Sequence, residues 1–99
     1  MAWTYILECS DGTYYVGSTI DLERRVAQHQ AGEGARYTRT RLPVALVYCE
    51  DHAEIRSAFE REKQLQGWGR AKRQALIDGA PEALRTLARK PSAGKPSSE

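Results

Sequence analysis

Two stretches near the start of the chain, Trp3 to Cys9 and Thr13 to Ser18, are rich in aromatic and β-branched residues and flank Ser10-Asp11-Gly12. This pattern predicts two strands joined as a hairpin. Loop length decides which side chains share a face, because a strand alternates with a period of two. A two-residue turn at Asp11-Gly12 puts Tyr5 and Tyr15 on opposite faces. A three-residue loop, with Ser and Asp in a type I turn and Gly in the left-handed closing position, sets Leu7 opposite Tyr15 and Tyr5 opposite Gly17, so that the two tyrosines share a face. Ser and Asp suit the turn and Gly its bulge, which favours the longer loop.

The period then lengthens. Asp21 to Ala31 reads as a helix with Asp21 at its start and Gly32 beyond its end. A polar loop, Gly32 to Arg41, leads to Val44–Cys49, a short apolar run behind Pro43 that suits a third strand. His52 to Gln66 reads as a second helix stopped by Gly67, and Arg70–Ile77 and Pro81–Ala88 as shorter ones, the last with Pro at a permitted first-turn position. The order ββαβααα is no repeat and no dinucleotide-binding unit; it implies an α+β domain, a small sheet with helices, over 1–89. Residues 90–99 offer nothing large to bury and are expected to be a disordered tail.

Within the second helix, at 100° per residue from Ile55, Phe59 falls at about 40°, Ala58 at about 300°, Leu65 at about 280° and Glu62 at about 340°. Glu62 therefore falls inside the apolar stripe, while Glu60, Arg61 and Lys63 fall outside it. A carboxylate there needs a cation, a strong donor or a metal, since burying it alone costs several kcal/mol; an arginine partner at the stripe's edge would also satisfy it. On the first helix, Arg25 and His29 follow one turn apart beside the apolar line of Leu22 and Val26. Together they can face a pocket, Arg25 with a permanent charge and forked donors suited to phosphate, or they can simply snorkel and pack. Strand tyrosines such as Tyr5, Tyr14 and Tyr15 are by themselves consistent with packing.

The chain has 99 residues, one domain's worth, and 15 Lys and Arg against 13 Asp and Glu. That balance says little, but its distribution says more: two stretches, Arg24–Arg41 and Arg61–Arg73, are strongly basic, which suggests a one-sided positive surface able to meet a polyanion. Cys9 and Cys49 make no disulfide framework and no metal-binding spacing, nor do His29 and His52. No apolar run reaches the roughly 18 residues of a membrane span, and the N-terminus has no signal-peptide pattern. A cytoplasmic protein with no membrane partner is expected.

Trp3-Thr4-Tyr5, Tyr15-Val16-Gly17-Ser18, Asp21-Leu22-Glu23-Arg24-Arg25, His29 and the later Glu62, in this order and spacing, resemble the GIY-YIG nuclease domain. Arg36-Tyr37-Thr38 and Arg61 to Trp68 further resemble its small stand-alone bacterial, YhbQ-type group, and the likeness spans about residues 2–77. The resemblance implies a three-stranded antiparallel sheet flanked by helices, and cleavage of phosphodiesters that depends on a divalent metal, Mg²⁺ or Mn²⁺. Position by position it implies that Tyr5 and Tyr15 are the tyrosines of the two motifs and Gly17 the glycine closing the second. It likewise makes Arg25 the arginine that steadies the transition-state phosphate, His29 the helical site residue seen in part of the family, and Glu62 the acidic metal ligand. WTY stands where the family has GIY, the chain contains no asparagine, and Ser18 stands where some relatives have lysine.

The chemistry asks for such groups. A pentavalent phosphorane gathers charge on its nonbridging oxygens, which a guanidinium and one metal ion can match. One carboxylate suffices to tether a Mg²⁺ that keeps most of its waters. One of Tyr5 and Tyr15 is expected to activate water and the other to orient it, with His29 the competing base because its ordinary pKa is nearer neutrality. Arg36, Arg39, Arg41, Arg70, Lys72 and Arg73 are the candidate backbone contacts to nucleic acid, with DNA ahead of RNA and weak sequence preference. The alternatives are a non-catalytic nucleic-acid-binding module with a degenerate site and a small adaptor anchored at Trp68.

Overall fold

The computed structural model describes residues 1–79; the helix expected at 81–88, the domain end at 89 and the tail lie outside them. The chain runs β1 (Ala2–Glu8), β2 (Tyr14–Thr19), α1 (Leu22–Gln30), α2 (Arg36–Arg39), β3 (Ala45–His52), α3 (Ile55–Gln66) and α4 (Arg70–Asp78). The strands form one antiparallel sheet in the order β2-β1-β3, so the α+β expectation holds and β2 is an edge strand.

The hairpin has the three-residue loop. Cys9 N–H donates to the Thr13 carbonyl at 2.8 Å and Gly12 N–H to the Cys9 carbonyl at 2.9 Å. Gly12 sits at φ +84°, a conformation that a side chain would strain, and Asp11 Oδ1 accepts from the Thr13 N–H and hydroxyl. The register follows: Leu7 faces Tyr15, and Tyr5 faces Gly17 on one side and Cys49 on the other.

Strand alternation divides the molecule into three layers. Tyr5, Leu7 and Cys49 pack with Leu22, Cys9 and Val44, joined by Val26 of α1 and Tyr37 of α2. Ile6, Val16 and Tyr48 point the other way and pack with Leu65 of α3, joined by Trp68 and by Leu76 and Ile77 of α4. Burying a side chain such as Leu65 stabilises by roughly 1.5–3 kcal/mol, and the two small clusters share β1 as their common wall. Asp21 caps α1, accepting from Arg24 N–H at 3.2 Å.

Three local expectations change. β3 continues to His52, so α3 begins at Ile55 and His52 belongs to the sheet. There the ring nitrogen of His52 bonds Glu50 of the same strand, whose carboxylate also accepts from Tyr48 and Arg61; Arg61 thereby ties α3 to β3. The polar loop contains a turn of helix, α2. Finally, Ile55 and Phe59 are 48 % and 49 % exposed, while Ala58 and Leu65 are fully buried. The buried stripe of α3 is narrower than its apolar residues suggest and centres on Ala58 and Leu65, because the Ala58 carbonyl is drawn onto the Thr4 hydroxyl at 2.8 Å.

Candidate active site

Tyr5, Tyr15 and His29 meet on the α1 side of the sheet. The Tyr5 hydroxyl lies 2.9 Å from His29 Nε2, and the Tyr15 ring lies 5.2 Å from the imidazole and 6.5 Å from the Tyr5 ring, centroid to centroid. Tyr5 and His29 are buried and Tyr15 is partly so. Burial pushes the Tyr5 phenol up to about 12, with the Tyr15 phenol and the Glu62 charge adding to it and Arg25 opposing it. Tyr15 is raised by burial and then by Glu62, and again Arg25 opposes. Arg25 is half-buried and its guanidinium also donates to Gln28 Oε1 at 3.1 Å.

Glu62 approaches from the opposite layer. It is half-buried, and its Oε1 accepts the Ser18 hydroxyl at 2.6 Å while Oε2 accepts the Gln66 amide at 2.8 Å. The arginine partner allowed by its stripe position is therefore replaced by two neutral donors. Ser18 and Gly17 lie on the edge strand between the layers, so the candidate site wraps over that edge. Gly17 makes this possible: the Tyr5 ring lies across it, and a Cβ there would stand 2.5 Å from Tyr5 Oη. No residue type but glycine leaves that space.

Sequence patterning did not single out Ser18 as a carboxylate tether, since that bond joins β2 to α3 across 44 residues; Gln66, four residues on from Glu62 along α3, was open to a helical-spacing argument but was not singled out. It also missed how far the middle loop contributes. Tyr37 stacks on Tyr15 at 6.0 Å between centroids, and the Arg41 guanidinium lies over the Tyr37 ring, 3.8 Å from its centroid. Thr38 is fully buried with its Oγ1 2.9 Å from His29 Nδ1. Among the six candidate contacts to nucleic acid, Arg36 and Arg39 are exposed. Arg41 is tied to Asp11 and the Tyr37 carbonyl, Arg70 to the Gly12 carbonyl and the Tyr14 ring. Arg73 closes the end of α3 through the Leu65 and Trp68 carbonyls, and Lys72 lies over Trp68.

Among the described residues no three potential metal ligands cluster. Glu62, held by two neutral donors with no cation among the described residues in hydrogen-bond range, has the chemistry of a single carboxylate that would suit a hydrated divalent ion.

His29 carries a stability signature. Burial, then the Arg25 charge, lowers its pKa from 6.5 to about 4, so the folded protein keeps the ring neutral while an unfolded chain protonates it below 6.5. The stability this gives is whole above 6.5 and falls as pH drops toward 4. Between pH 7 and pH 5 the loss is about 2 kcal/mol, read as a lower urea midpoint, and His29→Gln should flatten that window. An equal loss in the variant would show that another group is responsible.

A three-stranded antiparallel sheet whose edge glycine lies against the Tyr5 phenol, with helices on both faces, agrees with a GIY-YIG domain. The chain belongs to this family: the GIY-YIG catalytic domain matches residues 1–75. It is 49 % identical over 77 residues to a UPF0213 protein of Halobacterium salinarum, covering 78 % of this chain and all of that one. It is 43 % identical over 76 residues to a UPF0213 protein of Streptococcus pneumoniae, covering 77 % of each. The solution structure of a UPF0213 protein from Bacillus halodurans is similar with a TM-score of 0.56 and 33 % identity, over 90 % of this chain and 96 % of that one. The GIY-YIG domain is a nuclease domain and implies a nucleic-acid substrate; the UPF0213 designation states no activity. Among the described residues no helix is long and apolar enough to cross a membrane.

Proposed function

We propose that the protein is an endonuclease that hydrolyses phosphodiester bonds in DNA with weak sequence preference and requires Mg²⁺ or Mn²⁺. The observation that carries this reading is the convergence on one strand edge of Arg25, the Tyr5–His29 pair, Tyr15 and a carboxylate that has no cationic partner among the described residues. A binding module gains nothing from a carboxylate that repels phosphate.

Arg25 binds the phosphate and offsets the charge that develops on its nonbridging oxygens, a contribution that grows toward the transition state. Tyr5, its phenol held up to about 12, is a poor base alone. It takes a proton from the attacking water as it hands its own to His29, which is neutral and in contact. Tyr15, between Tyr5 and Tyr37, orients that water. Glu62 would hold the divalent ion, positioned by Ser18 and Gln66, and such an ion supplies Lewis-acid stabilisation to the phosphate. Arg36 and Arg39 on the exposed face of α2 meet the backbone.

The test is incubation of the purified chain with supercoiled plasmid, branched DNA and single strands in Mg²⁺, Mn²⁺ or chelator. Nicking that appears with metal and vanishes with chelator is the expected result. Retained binding without cleavage under every metal condition would reject the reading in favour of a binding module.

A further inference from the structure

One buried polar side chain of the middle loop has no part in the chemistry above. Thr38 is fully buried, and its single hydroxyl group stands between His29 Nδ1 at 2.9 Å and the Ala35 carbonyl at 3.0 Å. Beyond the imidazole, Nε2 meets the Tyr5 hydroxyl at 2.9 Å. Four groups, Tyr5, His29, Thr38 and the Ala35 carbonyl, therefore form one chain in a dry interior, with three hydrogens to distribute: one phenolic, one imidazole and one hydroxyl.

Only one distribution satisfies every donor. The carbonyl can only accept, and the Thr38 hydroxyl is in position to donate to it. Tyr5 is buried away from solvent, so its phenolic hydrogen must go to a protein acceptor, and among the described residues the one in hydrogen-bond contact with Tyr5 Oη is His29 Nε2. Nε2 must then be bare and Nδ1 must carry the imidazole hydrogen, donated to Thr38. Reversing the chain leaves the Tyr5 hydrogen without an acceptor, a penalty that favours the first arrangement by about tenfold or more. Gly34 leaves the ring its space beside Thr38: a Cβ there would overlap His29 Nδ1.

We infer that Thr38 is a positioning residue that holds the His29 proton on Nδ1 and so keeps Nε2 open to receive the proton of Tyr5. Its consequence for turnover rests on the endonuclease reading. Water gives its proton to Tyr5 as the phenolic proton passes to Nε2. The water oxygen bonds to phosphorus, the bond to the leaving oxygen breaks, and that oxygen takes a proton from solvent. His29 then returns its extra proton to solvent. Through Thr38, the Ala35 carbonyl dipole faces the transient imidazolium and stabilises it.

The test reads the tautomer directly, by long-range proton–nitrogen correlation spectra of the imidazole in the whole chain near neutral pH. His29→Gln gives the assignment. The wild type should show the Nδ1–H pattern, Thr38→Ser should keep it, and Thr38→Val, of equal shape but without the hydroxyl, should lose it to Nε2–H or a mixture. On a substrate that is cleaved, Thr38→Val should lower kcat about tenfold or more with KM little changed, and Thr38→Ser should restore it. Nε2–H in the wild type overturns the inference even if Thr38→Val does not fold, as does an unmoved tautomer in a folded Thr38→Val. The Nδ1–H pattern with no cleavage of any DNA would instead leave Thr38's role standing and remove the endonuclease reading.

Discussion

Glu62→Gln should abolish metal-dependent cleavage, lowering the rate by at least about 10³-fold, while DNA binding stays equal or tightens. Glutamine keeps the shape and an oxygen for the Ser18 hydroxyl, so the fold is expected to survive; what goes is the net charge. Several kcal/mol of transition-state stabilisation depend on charge at this position, and each 1.36 kcal/mol is about tenfold in rate. Binding moves the other way because a negative group near a phosphate is removed. The measurement is nicking rate with fluorescence anisotropy on the same DNA. Undiminished cleavage in the variant would take Glu62 out of the chemistry and leave the activity to a contaminant or another site.

Gly17→Ala should be nearly as damaging, though Gly17 carries no chemistry. The added methyl would lie 2.5 Å from Tyr5 Oη and 2.6 Å from Cζ, with Tyr15 Cε2 at 3.2 Å. A phenol is rigid and cannot bend aside at its tip. The Tyr5 ring must swing as a whole, out of a fully packed core and away from His29. The expected cost is about 1–3 kcal/mol of stability from overpacking, and about 10²-fold in cleavage, since a displacement of about 1 Å at a catalytic group suffices for that. Thermal unfolding and nicking rate check the two halves separately. Gly69→Ala, with open space around its Cβ position, is the control and should change cleavage little. A fully active Gly17→Ala would mean that Tyr5 need not cross this strand.

The hairpin was legible because its information is local: Ser-Asp-Gly suits the three-residue loop better than the two-residue turn that Asp-Gly alone would allow, and loop length fixes register, which sets Tyr5 opposite Gly17. α1 was equally readable from Asp21 and Gly32. α3 was harder. Its periodicity counts Ile55 and Phe59 as core, yet the burial of a helix depends on what it lies against, and it is Ala58, bonded to Thr4, and Leu65 that face the sheet. Glu62 consequently sits at the margin of the true stripe, where it can be satisfied and still be reached. The middle loop was least legible. Polar composition reads as solvent-exposed, whereas Thr38 is polar because it must bond a buried imidazole, and no sequence period marks a contact spanning nine residues. Arg41, Arg70 and Arg73 teach the same lesson from the other side, as charge that looked available for a polyanion bonds backbone carbonyls.

Cys9 and Cys49 are both buried and unpaired by any disulfide. Burial raises both thiols, Cys49 to about 11, with the neighbouring Asp51 and Glu50 charges adding to it. Little thiolate forms while the chain is folded, and an alkylating reagent such as iodoacetamide must wait for an opening event to reach either sulfur. The pair is thus a native clock for unfolding. Counting adducts by mass spectrometry after timed exposure times the exposure of the first packed layer, at β1's end and in β3, with no label to introduce and no residue of the candidate site to disturb.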